Sequence, residues 1–241
     1  MNKISVLMIG NSFSVDVAHF THQLSLGSDI EIEICVLYVG GCSLEQHVEF
    51  IEEKSTPYEW FINGESTGKY IDLKTALMMK EWDYITLQQV SVFSGLKETF
   101  YPHINQLIDY VKTYQTNPKF VLHKTWPYET GFNNTNFEHY NYDRKVMYQC
   151  INDAYSYVSK DLGIDIIIRS GDIIESAIEK YGERFHKDGF HLNDIGRYLV
   201  ALGFVHTFNG NQLIEELYIP DFLNKELCKE YDSLVQEVLN S

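Results

Sequence analysis

Asp188-Gly189-Phe190-His191 sets a carboxylate three residues ahead of an imidazole. The two can meet on one tight turn, which Gly189 lets bend sharply. The carboxylate would then accept from one ring nitrogen and leave the other free to take a proton from a hydroxyl. A hydroxyl suited to that role is Ser12, in Gly10-Asn11-Ser12-Phe13-Ser14 directly after an apolar run. A serine just past the carboxyl end of a buried parallel strand stands where open α/β sheets place their ligands. If a helix starts there, its own N–H points outward and can donate to a developing oxyanion. Each feature also has a plainer reading. Ser12 could simply cap the following helix, and His191 could be a surface histidine on an ordinary loop.

Two further stretches lie in similar places. Gly40-Gly41 follows the second apolar run. Paired glycines allow a ligand close to the backbone and leave an N–H free to donate, or they make a plain strand-to-helix turn. Gln88-Gln89-Val90-Ser91 follows the third run. Either side-chain amide could donate to negative charge, or the pair is only a polar strand end.

The elements that must position these residues are legible as alternating runs. Apolar segments at 4–9, 30–39, 84–87, 120–123 and 164–168 are rich in Val, Ile and Leu. Near-continuous apolar runs predict parallel strands buried on both faces. Between and after them, 44–53, 104–114, 143–162, 195–208 and 223–239 carry helical spacing. Strands alternating with helices predict an α/β domain with right-handed crossovers. Residues 58–73, centred on Asn63-Gly64, read as an inserted β-hairpin or flap. No repeat or linker divides the chain, so 1–241 reads as one domain.

The order of these features along the chain resembles the four blocks of the SGNH/GDSL hydrolase superfamily. A serine on a small turn follows strand one, a glycine strand two and a side-chain amide strand three, and a DxxH motif lies near the carboxyl end. The resemblance spans roughly residues 5–205. It implies a three-layer α/β/α sandwich around a five-stranded parallel sheet, flavodoxin-like. It also implies Ser12 as nucleophile, His191 as general base, and Asp188 as its orienting partner. The oxyanion hole would come from the Ser12 and Gly41 N–H groups and one glutamine: Gln88, which continues the strand, in preference to Gln89. Substrates would be small acyl esters, acetyl or short-chain, some on carbohydrate, with no metal or organic cofactor. Two positions depart from the usual pattern: Asn11 stands where the first block carries Asp, and a glutamine replaces the third block's Asn. The GNSFS and Gln-Gln blocks resemble a poorly characterised bacterial branch.

Asn11, Trp126 and Tyr128 are candidate pocket residues, the last two from the aromatic stretch after strand four. Aromatics make up 14% of the chain and could stack on sugar rings. Two rival readings share the scaffold. One is an acyltransferase, in which a sugar hydroxyl replaces water. The other is a catalytically weak carbohydrate-binding protein, which the departures at Asn11 and Gln88 favour and the intact Ser12, Asp188 and His191 oppose.

The remaining features narrow the field. A formal charge of -15 argues against nucleic acid and anionic lipid as partners. No stretch approaches the ~18 apolar residues of a membrane span. The first apolar run is too short for a signal peptide, so a cytoplasmic protein is expected. Gly64 to Lys69 mimics a phosphate loop, one residue short and inside the hairpin. His19 with His22, and His186 near His191, read as ordinary histidines rather than metal ligands. The four cysteines form no CxxC pair, and Cys42 beside Gly41 reads as a structural thiol.

Overall fold

The computed structural model describes residues 2–241. Its core is a sheet in the order β4-β3-β2-β1-β5-β6-β7. The strands are β1 (Asn2–Gly10), β2 (Ile30–Tyr38), β3 (Tyr58–Ile62), β4 (Glu65–Ile71), β5 (Tyr84–Leu87), β6 (Phe120–His123) and β7 (Ile167–Ile168). The helices are α1 (Ser12–Ser25), α2 (Leu44–Glu53), α3 (Leu73–Met78), α4 (His103–Lys112), α5 (Arg144–Leu162), α6 (Ser170–Tyr181), α7 (Asp194–Phe208) and α8 (Lys225–Asn240).

The sheet has seven strands, not the expected five. The five apolar runs form its parallel part, with β1 between β2 and β5. The other two strands are the hairpin, which joins the sheet instead of standing apart as a flap. β3 pairs antiparallel with β2 from Cys35↔Ile62 to Tyr38↔Glu59, and β4 pairs antiparallel with β3. Asn63 and Gly64 both take positive φ, 51° and 85°, the geometry a two-residue hairpin turn needs. Asn63 also ties the turn to β2: its side chain accepts from Ile34 N at 3.0 Å and its N–H donates to Ile34 O at 2.7 Å. Without the hairpin, β2 would be a bare sheet edge with unpaired backbone groups. The pairing partner is remote in sequence, so the local pattern reveals the hairpin but not its docking.

β1 shows why the parallel strands read as continuous apolar runs. Val6 and Met8 pack into one core with α1, α6, α7 and α8. Leu7 and Ile9 pack into a second core on the opposite face, with α2 to α5. All four are fully buried. Helix α6 and the short α3 have no counterpart in the sequence reading. The α6 sequence opens with Ser170-Gly171, a weak helix start, and the close approach of Gly171 to the Thr125 carbonyl explains the glycine. Strand seven is shorter than 164–168: only Ile167 and Ile168 pair with β6.

The parallel strands follow the 2-1-3-4-5 order of a doubly wound sheet. The crossovers diverge between β1 and β5, and ligands bind at that crevice in such sheets. Among the described residues no helix is long and apolar enough to cross a membrane.

Candidate active site

Ser12 is the first residue of α1, but it does not cap it. Asn11 does, with its Oδ1 accepting from Phe13 N at 3.1 Å. The Ser12 hydroxyl is left free to turn toward the carboxyl-terminal turn, where Oγ lies 2.9 Å from His191 Nε2. The Ser12 N–H, in the first helical turn, has no partner among the described residues.

The Asp188–His191 turn closes on itself. Asp188 Oδ2 accepts from His191 Nδ1 at 2.7 Å, and Oδ1 accepts from the His191 N–H at 2.8 Å and the Phe190 N–H at 3.3 Å. With Nδ1 protonated and held by the carboxylate, Nε2 presents a lone pair to Ser12. Partial burial pulls the Asp188 carboxyl up. The hydrogen bonds from the His191 ring and from the His191 and Phe190 N–H groups outweigh it and hold the group below the usual carboxylate range. Gly189 has φ of +93°, and a Cβ there would stand 2.1 Å from Phe132 Cδ2, so both conformation and close packing require glycine.

The turn is pinned from several sides. Trp126 Nε1 donates to Phe190 O at 2.8 Å, and Glu129 N donates to Gly189 O at 2.8 Å. Asp16, one turn beyond Ser12 on α1, accepts from Leu192 N at 3.1 Å and pairs with Arg197 at 2.8 Å. Asp16 was not singled out from the sequence. Its spacing of four from Ser12, on the same helix face, is the signal that could have found it.

Across the crevice, Gly41 adopts φ of +65° with open space where a Cβ would be. Cys42 N closes the turn on Val39 O at 3.3 Å, and the Gly41 N–H has no partner among the described residues. Burial pushes the Cys42 thiol up to about 12, in keeping with a structural thiol.

Neither glutamine reaches the cavity. Gln88 lies behind Asn11: its Nε2 donates to Asn11 Oδ1 at 2.7 Å, while its Oε1 accepts from Ser14 Oγ at 2.8 Å and His123 Nδ1 at 2.6 Å. His123 Nε2 in turn accepts from Ser170 Oγ at 3.1 Å. Gln89 Oε1 accepts from Leu44 N at 3.1 Å at the start of α2, and its Nε2 donates to Thr99 O at 2.9 Å. Asn11 Nδ2 donates to Cys42 O at 3.1 Å. A chain of side chains thus joins the ends of β7, β6, β5, β1 and β2 directly beneath Ser12 and Gly41.

A cavity of about 420 Å³ opens above Ser12. Its wall includes Asn11, Ser12, Gly40, Gly41, Tyr128 and His191. Tyr38, Phe132 and Phe190 give it apolar surface, and Ser91, Asn134 and Asn136 give it neutral polar groups. Among the described residues no Lys, Arg, Asp or Glu lines it. Trp126 does not belong to this wall. It is fully buried, stacked on Phe13 at 4.1 Å with the ring planes 4° apart. Its indole N–H is satisfied by a backbone carbonyl, so it supports the site from below. Tyr128 does face the cavity, its Oη 3.0 Å from Ser91 Oγ. Phe132, Asn134 and Asn136 come from the 129–142 loop, whose composition marks it as a loop without showing that it folds over Ser12.

A family model described as a domain of unknown function, DUF4886, matches residues 5–231. The chain belongs to the DUF4886 family. A DUF4886 protein from Bacteroides uniformis has 31% identity and a TM-score of 0.92, over 99% of this chain and 95% of its own. A proposed SGNH hydrolase from Slackia heliotrinireducens has 22% identity and a TM-score of 0.62, over 86% of this DUF4886 chain and 100% of its own. The acetylxylan esterase Axe2 from Geobacillus stearothermophilus has 11% identity and a TM-score of 0.56, over 90% and 97%. No curated protein matches the sequence. The DUF4886 chain therefore has the fold of the SGNH/GDSL hydrolases, as the order of its motifs implied.

Proposed function

We propose that this chain is a serine esterase that removes a small, uncharged acyl group, such as acetyl, from a hydroxyl of a carbohydrate or similar neutral alcohol. The observation that carries this reading is the relay from Asp188 Oδ2 through His191 to Ser12 Oγ, with links of 2.7 and 2.9 Å, at the floor of a cavity. Three side chains from opposite ends of the chain meet in the order that serine activation needs.

In the first half-reaction Ser12 Oγ attacks the ester carbonyl carbon while its proton passes to His191 Nε2. The carbonyl π electrons move onto oxygen. In this reading the N–H groups of Ser12 and Gly41, which have no partner among the described residues, donate to that oxyanion. Collapse breaks the bond to the alcohol, which leaves with the proton from His191, and the acyl group stays on Ser12. Water then attacks the acyl-enzyme, giving its proton to His191. Breakdown of the second tetrahedral species returns that proton to Ser12 and releases the acid. Gln88 acts at one remove here, by orienting Asn11 beneath the nucleophile.

The cavity lining supports the substrate class. Five aromatic rings and several neutral amides and hydroxyls suit a sugar ring, and the absence of lining charge among the described residues disfavours a charged acyl group. The acetylxylan esterase among the structural neighbours points the same way.

Hydrolysis of p-nitrophenyl acetate, butyrate and octanoate by the wild type and by Ser12→Ala tests the reading. Turnover that falls with chain length and disappears in the variant is expected, together with acetate release from acetylated xylo-oligosaccharide. Equal rates in the two proteins, with no labelling of Ser12 by a phosphonate probe, would overturn it.

A further inference from the structure

A second cluster lies below the Asp188–His191 turn, outside the cavity. Glu129, Glu183 and His186 present ligand atoms that all lie within 4.8 Å of one another. His186 is the informative member. Its ring is buried, at 8% exposure. Its Nε2 donates to Pro127 O at 3.1 Å. That bond fixes the tautomer and leaves Nδ1 as a bare lone pair. Nδ1 is buried and has no hydrogen-bond partner among the described residues. A buried acceptor without a donor is costly, and here it stands among carboxylates that cannot donate when ionised. A histidine whose second nitrogen donates to a backbone carbonyl is the arrangement that metal-binding histidines adopt.

The surrounding charge fits a cation. Arg144 pairs with Glu183 at 3.1 Å and also with Glu175. Counting Glu129, Glu175 and Glu183 against the one guanidinium leaves two uncompensated negative charges around the site. One divalent ion would neutralise it. The donor set of one imidazole and two carboxylates suits zinc or a related first-row transition ion, whereas magnesium and calcium prefer oxygen alone.

We propose that Glu129, Glu183 and His186 bind one divalent transition-metal ion of the zinc type. The ion ties together two segments remote in sequence: the loop after β6, which carries Glu129, and the stretch after α6 that holds Glu183 and His186 and continues into Asp188 and His191. It is a latch on the turn that carries the histidine and takes no part in bond making. The proposal does not depend on the esterase reading, because its readout is binding and stability.

The test uses the full chain stripped with a chelator and titrated with zinc chloride, followed by calorimetry and thermal unfolding. One zinc ion per chain is expected, with a rise in Tm that magnesium chloride does not reproduce. Glu129→Gln and Glu183→Gln should each weaken zinc binding about tenfold or more. The Glu129 side chain makes no hydrogen bond among the described residues, so Glu129→Gln should keep the metal-free Tm, which separates lost binding from lost folding. Zinc-soaked crystals should show anomalous density between the three side chains. Absence of saturable binding, or zinc affinity that survives both substitutions, would overturn the proposal.

Discussion

Gln88 and Asn11, on neighbouring strand ends, share one hydrogen bond: Gln88 Nε2 donates to Asn11 Oδ1 at 2.7 Å. The same Oδ1 accepts from Phe13 N, and Asn11 Nδ2 donates to Cys42 O at 3.1 Å. Position 11 therefore needs an acceptor on one side and a donor on the other. Asn11→Asp, which would bring back the acid of the more usual first block, removes the donor. It sets a buried carboxylate oxygen against the Cys42 carbonyl. The expected cost is about 1–3 kcal/mol or more at neutral pH. Urea unfolding of the variant checks it, and an unchanged midpoint would contradict this account of Asn11.

The two partners of the relay should not matter equally. His191 takes and returns the proton, whereas Asp188 orients the ring from an exposed position where water can partly replace it. His191→Ala should therefore reduce kcat more than Asp188→Ala, by a gap of about a hundredfold. Steady-state kinetics on one p-nitrophenyl ester measures both, and equal losses would count against this division of roles.

Gly189→Ala should disturb the site without touching a reacting atom. An alanine at φ of +93° is strained, and its Cβ would meet the Phe132 ring at 2.1 Å. The left-handed backbone alone costs about 1–2 kcal/mol. Phe132 would move, and the Asp188–His191 turn would shift away from Ser12. A lowered Tm and a lowered kcat/KM together are expected. Gly131→Ala is the control: it also has positive φ, but its Cβ would meet nothing within 4 Å. Equal losses at both positions would show that backbone strain alone explains the effect.

Three buried histidines make stability depend on pH. Desolvation lowers His123 and His47 from the ordinary 6.5 to about 3, and His186 to about 4. Between those values the unfolded chain binds protons that the folded chain refuses. Folding stability is therefore fully present above about pH 6.5 and is lost as pH falls toward 3. Each group contributes a slope of at most about 1.4 kcal/mol per pH unit. Chemical denaturation from pH 4 to 7 should show stability rising with pH. His47→Gln should make that rise shallower, since it removes one of the three groups, and an unchanged slope would count against the assignment.

Much of this was legible before folding. Strands buried on both faces must be apolar throughout, so 4–9, 30–39, 84–87 and 120–123 stand out, and the chemistry sits at their ends. The Asp188–His191 pair is local: both partners lie on one turn, and Gly189 announces the bend. Asn63-Gly64 likewise announces the hairpin.

What needed the tertiary structure is whatever depends on which remote group arrives first. Asn11, not Ser12, caps α1 because Gln88 and Cys42 hold its amide in place. Trp126 is buried because Phe13 stacks over it, which leaves Phe132 and the asparagines of a distant loop to form the wall. The hairpin became part of the sheet because β2 had an open edge. Glu129, Glu183 and His186 are separated by up to 57 positions and meet only when α6 and the loop after β6 converge. Spacing along a chain constrains side chains within one turn or one strand. Beyond that range, packing and the need to satisfy each buried polar group decide where a side chain points.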